Sequence, residues 1–70
     1  MARLLDKSMT TGEKLVKLRG KKTKSEVAEA IGVSKSSYIK YERDERNPSD
    51  VVKQRIADYY GRKVGSVFFN

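Results

Sequence analysis

The chain contains no cysteine and no histidine. Without thiols, neither a disulfide framework nor a cysteine-ligated metal can staple a small fold. Without imidazole, the commonest acid–base group and the commonest metal ligand are both missing. No apolar run approaches the roughly eighteen residues of a membrane span. The opening MARLLDKSM is broken by Asp6 and Lys7 before it reaches signal-peptide length. No glycine-rich phosphate loop or nucleophile–base pair stands out. The nearest carboxylate pairs, Asp44/Glu45 and Glu26/Glu29, lie in polar stretches that would not perturb them. These absences point away from an enzyme, a metalloprotein and a membrane protein, and toward a cytoplasmic chain that uses no cofactor.

What the chain has is positive charge. Its 70 residues, one domain at most, carry sixteen basic and nine acidic side chains, a net +7. Such a balance argues for a polyanionic partner. The excess is unevenly placed. Residues 1–22 hold seven basic against two acidic side chains, and residues 51–70 hold four against one. Residues 23–50 hold five against six, yet no acid occurs from Ala30 to Tyr41. The middle of the chain is therefore near neutral, with one stretch cleared of negative charge.

The apolar pattern predicts five helices and no strand. Residues 1–9 read as a flexible arm whose Arg3 and Lys7 suit phosphates, or else as a plain terminus. The domain proper would be 10–70. Thr10-x-x-Glu13 has capping-box spacing for a first helix, with Leu15, Leu18 and Val16 inward, Lys14, Lys17 and Arg19 outward, and Gly20 as its stop. Thr23-x-x-Glu26 repeats the spacing for a second helix with Val27, Ala28 and Ile31 buried. Gly32-Val33-Ser34 then joins it to a third helix at about 35–42. Two helices joined by three or four residues that include a glycine mark a helix-turn-helix. On that third helix Ser37, Tyr38 and Tyr41 share one face. Ser36, Ile39, Lys40 and Arg43 share the other, with Lys35 beside them. Asn47-Pro48 sets up a fourth helix, with Pro48 in its first turn and Ser49 or Asn47 as cap, carrying Val52, Ile56, Tyr59 and Tyr60. Gly61 stops it before a short fifth helix with Val64, Val67 and Phe68 inward.

The stretches SEVAEAIGVSKSSYIKYERDERNPS and RIADYYGRKVGSVFF, within a match from about Thr11 to Phe69, resemble the lambda-repressor/Cro-like helix-turn-helix proteins, the xenobiotic-response-element family of bacterial and phage regulators. The resemblance implies a compact all-α, five-helix domain and a sequence-specific regulator of transcription. A repressor of the phage or mobile-element kind is expected, binding double-stranded DNA as a homodimer. It also implies that Lys35, Ser36 and Lys40 face base edges. Their chemistry agrees, since lysine donates to guanine and serine serves as donor or acceptor, while Ile39 suits a thymine methyl. Phosphate contacts are expected from Thr23, Lys24, Arg43, Arg46 and Asn47. Each has a plainer alternative. The lysines could be surface charge or phosphate contacts, Ser36 a helper of the cap, Ile39 a protein contact, and Arg46 a partner of Glu42 or Asp50.

The chain departs from the family pattern at three positions. Lys24 stands where glutamine is usual, Asp44 where glycine is usual, and Tyr38 where a branched aliphatic is usual. The four tyrosines invite a stacking role on single-stranded nucleic acid, but their helical phase favours the core. At the C-terminal end, Val64, Val67, Phe68 and Phe69 could form a dimer or partner surface, or simply close the core. An antitoxin-like module with autoregulatory DNA binding is the rival reading, and a domain cut from a larger regulator is a third.

Overall fold

A computed structural model describes residues 5 and 8–69. Helix α1 spans Thr11–Arg19. Its capping box closes in both directions, Glu13 N–H donating to Thr10 Oγ1 at 3.1 Å and Thr10 N–H to Glu13 Oε1 at 2.8 Å. Helix α2 spans Lys24–Ile31, and Thr23 Oγ1 accepts from Glu26 N–H at 3.0 Å. Helix α3 spans Lys35–Glu42, where Ser34 Oγ accepts from Ser37 N–H at 3.1 Å. Helix α4 spans Asp50–Tyr60 and α5 spans Val64–Phe68. All five expected helices are present, and among the described residues there is no strand. Of the lead at 1–9, Arg3 and Lys7 lie outside the described residues, while Leu5 is half-buried against the core.

The core is the sum of the inward stripes: Leu15, Val27, Ala28, Ile31, Tyr38, Tyr41, Ile56 and Val67. Helix α3 packs on α1 and α2, α4 on α2, and α5 closes against α1 and α4. Two tyrosines take the part of aliphatics at the centre, and Tyr38 is the largest fully buried side chain. Its hydroxyl meets the Tyr60 hydroxyl at 3.2 Å, so the polar tip is satisfied where water is excluded. Among the described residues no buried side-chain polar atom is left without a partner.

Three details correct the sequence reading. Lys14 and Arg19, expected on the solvent face of α1, are drawn inward, whereas Val16, expected inside, is 43 % exposed. The Lys14 ammonium donates to the Ser66 carbonyl at 3.2 Å, tying α5 to α1. Long cationic side chains bury their stems when the head group has a fixed partner, and a simple apolar periodicity does not register this. Glu42 is the second correction. The sequence reading offers it only as a partner of Arg46, but it is 8 % exposed. Its carboxylate accepts from Arg19 Nε at 2.7 Å and Nη2 at 3.3 Å. Third, Pro48 is not in the first turn of α4. It is buried just ahead of the cap residue Ser49, which accepts from Val52 N–H at 3.3 Å.

Candidate nucleic-acid interface

Helix α2 ends at Gly32, whose backbone is left-handed at φ 78°. Val33 N–H donates to the Ala28 carbonyl at 3.0 Å and Gly32 N–H to Glu29 at 3.2 Å, the Schellman closure that reverses the chain after a helix. Val33 plugs the turn against the core. Ser34 then starts α3, so the two helices are separated by three residues, as the spacing predicts.

Helix α3 divides cleanly. Tyr38, Tyr41 and Glu42 face inward and are buried. Lys35, Ser36, Lys40 and Arg43 are exposed, and Ile39 is half-buried among them. The cap is completed by Ser34 and Ser37, whose hydroxyls lie 3.0 Å apart, so Ser36 is not needed for it. The outward face therefore offers two ammonium groups, one guanidinium, one hydroxyl and one aliphatic surface with no carboxylate among them.

The rear of α3 is held by side chains rather than by apolar packing alone. Arg19 also donates from Nη1 to the Lys22 carbonyl at 2.9 Å, so a single guanidinium bridges α1, the α1–α2 connection and α3. Hydrogen bonding to Glu42 holds the guanidinium above its ordinary pKa against the opposing effect of burial. Burial pushes the Tyr38 phenol far above its ordinary range, reinforced by the Tyr60 hydroxyl and the nearby Glu42 carboxylate. Burial likewise raises Tyr60. Both phenols are neutral at any ordinary pH, so neither adds a negative charge beside Arg19. The stacking role for the tyrosines is not what their placement supports: Tyr38 and Tyr41 are core, and the Lys22 ammonium lies 4.7 Å from the Tyr59 ring centre.

The candidate phosphate contacts fall at two places. Thr23 and Lys24 lie at the start of α2, Thr23 exposed and Lys24 half-buried. Arg43, Arg46 and Asn47 lie in the exposed loop between α3 and α4. Glu42 is already taken by Arg19, so it is not the partner of Arg46. Arg43 pairs with Glu45 at 3.0 Å, but both side chains are well exposed, and such a pair is weak enough to open. A family model described as helix-turn-helix matches residues 13–66, from α1 into α5.

The chain belongs to the lambda-repressor/Cro-like helix-turn-helix family.

No curated protein and no solved structure matches it. Membership makes the chain a DNA-binding helix-turn-helix regulator, and α2, the turn at Gly32 and α3 are the motif. No helix among the described residues is long and apolar enough to cross a membrane.

Several residues that shape this interface escaped the sequence reading. Arg19 and Glu42 form its rear brace. Asp44, noted where glycine is usual, sits in a left-handed backbone, φ 59°; what the sequence did not show is that its Oδ1 accepts from Gly12 N–H at 2.8 Å. Arg55 of α4 reaches over the turn: a Cβ at Gly32 would lie 3.1 Å from its Nη1. Nothing in the local pattern marks Arg19, which the spacing places on the outward face. Nor does anything in it mark Arg55.

The C-terminal candidates separate. Val67 is fully buried and belongs to the core, Phe68 packs against the core, and Val64 is half-buried. Phe69 is 58 % exposed, and the Lys53 ammonium lies 5.1 Å from its ring centre and 5.7 Å from that of Phe68.

Proposed function

We propose that the chain is a sequence-specific transcriptional regulator, a repressor of phage or mobile-element type, that reads the major groove of double-stranded DNA with α3. The outward face of α3 carries this reading. Lys35 and Lys40 donate to guanine O6 or N7, Ser36 serves as donor or acceptor, and Ile39 lies against a thymine methyl. Thr23, Lys24, Arg43, Arg46 and Asn47 contact phosphates and set the register. Two copies bind a near-palindrome with their α3 helices about one DNA turn, roughly 34 Å, apart. The motif is close to neutral in charge, so Lys and Arg residues outside it contribute to the attraction. The protein works where its operator is, in the cytoplasm, with no cofactor.

Selection of bound duplexes from a random pool, repeated with Lys35→Ala and Lys40→Ala, tests the assignment. Loss of preference at particular base pairs identifies readout. A uniform loss across sequences reduces both lysines to phosphate contacts. Absence of binding to any duplex at low salt, from folded protein, removes the proposal altogether.

A second reading, an antitoxin-like module whose C-terminal end docks a partner protein while its DNA binding is autoregulatory, draws support from the exposed Phe69 ring beside Lys53. Light scattering on the isolated chain separates the two. A stable dimer assigns this end to self-association, and a monomer leaves it for another protein.

A further inference from the structure

We propose that Asp44 is a positioning residue for DNA binding: its carboxylate fastens the α3–α4 loop to the first turn of α1 and so presents Arg43, Arg46 and Asn47 to phosphates in one fixed arrangement. The proposal rests on the reading above that this loop contacts phosphates.

Two independent features converge on Asp44. Its backbone closes α3 by a Schellman turn, with Glu45 N–H donating to the Lys40 carbonyl at 2.9 Å and Asp44 N–H to Tyr41 at 3.2 Å. Among the described residues it is the only non-glycine with positive φ. Its side chain reaches across 32 residues of sequence to an amide in the first turn of α1, where the unpaired N–H groups and the helix dipole favour a carboxylate. The approach is close enough that α1 admits no side chain there. A Cβ at Gly12 would collide with the Glu42 carbonyl oxygen and lie 2.8 Å from Asp44 Oδ2. The loop is thus clamped at its root, directly after the reading helix, on the segment that carries two arginines and an asparagine.

A glycine at position 44 would satisfy the backbone with no strain, so closing the helix does not by itself call for the carboxylate. The tie to α1 does. A loop already ordered before binding loses less entropy when its arginines engage phosphates.

The test compares Asp44→Gly with Asp44→Asn in the full chain, on a mixed-sequence duplex, with affinity measured over a range of salt. Both variants remove the same charge and both tolerate a left-handed backbone, but only asparagine keeps an acceptor for the Gly12 N–H. The expected result is that Asp44→Asn binds at least as tightly as the wild type. Asp44→Gly should bind about five- to tenfold more weakly than Asp44→Asn, with a salt slope shallower by roughly one phosphate contact. A purely structural role would change the melting temperature and leave the slope of the folded protein alone. Equal affinity and equal slope for the two variants overturn the proposal. Arg43→Ala and Arg46→Ala serve as the companion measurement. If neither alters the slope, the loop is not a phosphate clamp, and the proposal falls with the phosphate assignment rather than with the tie to α1.

Discussion

The ends of α2 and α3 are built on the same hydrogen-bond pattern and differ in one residue. At both, the chain reverses through a left-handed residue whose own amide returns to the carbonyl three positions back, while the next residue's amide returns five back. At α2 that residue is Gly32, and the space a side chain would take is bounded by Arg55 at 3.1 Å. At α3 it is Asp44, and the side chain is used. A left-handed backbone costs a non-glycine residue on the order of 1–2 kcal/mol, less for Asp than for most. A charge-assisted hydrogen bond at a helix N-terminus contributes a comparable amount in return. The two ends are therefore similar in local energy but not in reach. The Gly32 turn is a local device that sets the angle between two adjacent helices. The Asp44 turn is also a tertiary contact, so the end of the reading helix is fastened to the start of the domain as well as to its own last turn.

The comparison can be broken most forcefully at Glu42, two residues before Asp44. Glu42→Ala leaves the Arg19 guanidinium without its carboxylate and only the Lys22 carbonyl as acceptor, and losing a charge-assisted, part-buried pair should cost about 2–3 kcal/mol. Urea unfolding should show a midpoint shifted far down, leaving little margin in a domain this small. Gly12→Ala comes next. The added methyl collides with the Glu42 carbonyl, so α1 must move off the end of α3 at a cost of about 1–3 kcal/mol. Asp44→Gly should then have little further effect in that background, because the distance its carboxylate spans has already opened. A double-mutant cycle measures this directly. Gly32→Ala should cost about 1–2 kcal/mol, chiefly backbone strain, with no such coupling to α1.

Smaller again is the effect of the buried phenols. Tyr38→Phe removes the contact with the Tyr60 hydroxyl and should cost about 1 kcal/mol. The pH dependence gives a sharper readout. Tyr38 and Tyr60 both titrate higher in the fold than in the unfolded chain, where tyrosine ionises near pH ~10. Their contribution is fully present below about pH 10 and is lost as pH rises further, because only the unfolded chain releases those protons readily. Melting temperature should hold up to that point and then fall, and Tyr38→Phe should flatten the fall. A profile that declines already between pH 7 and 9 would contradict the placement of both rings.

The sequence carried most of the fold because helix starts and stops are local. Thr10, Thr23 and Ser34 cap by reaching three residues along the chain, and Gly32 and Gly61 end helices through their own backbone. The division of α3 into a tyrosine face and a lysine–serine face followed from a 3.6-residue period that holds whatever it packs against. Misreadings came where a polar group was inside. Lys14, Arg19 and Glu42 carry charges that a periodicity argument assigns to water, and only their mutual geometry reveals that each has a partner. Pro48 was placed inside the first turn of α4 rather than ahead of its cap, because both places accept proline.

What the sequence by itself determined is the order and span of five helices, the turn that joins two of them, and which face of α3 is free of acid. Each of these depends on residues within one or two turns of each other. The tertiary structure alone decided how that face is held. Arg19 meeting Glu42, Tyr38 meeting Tyr60 and Gly12 meeting Asp44 join residues 22 to 32 positions apart. Pairings at that separation exist only once packing has brought the helices together, so no local pattern can announce them.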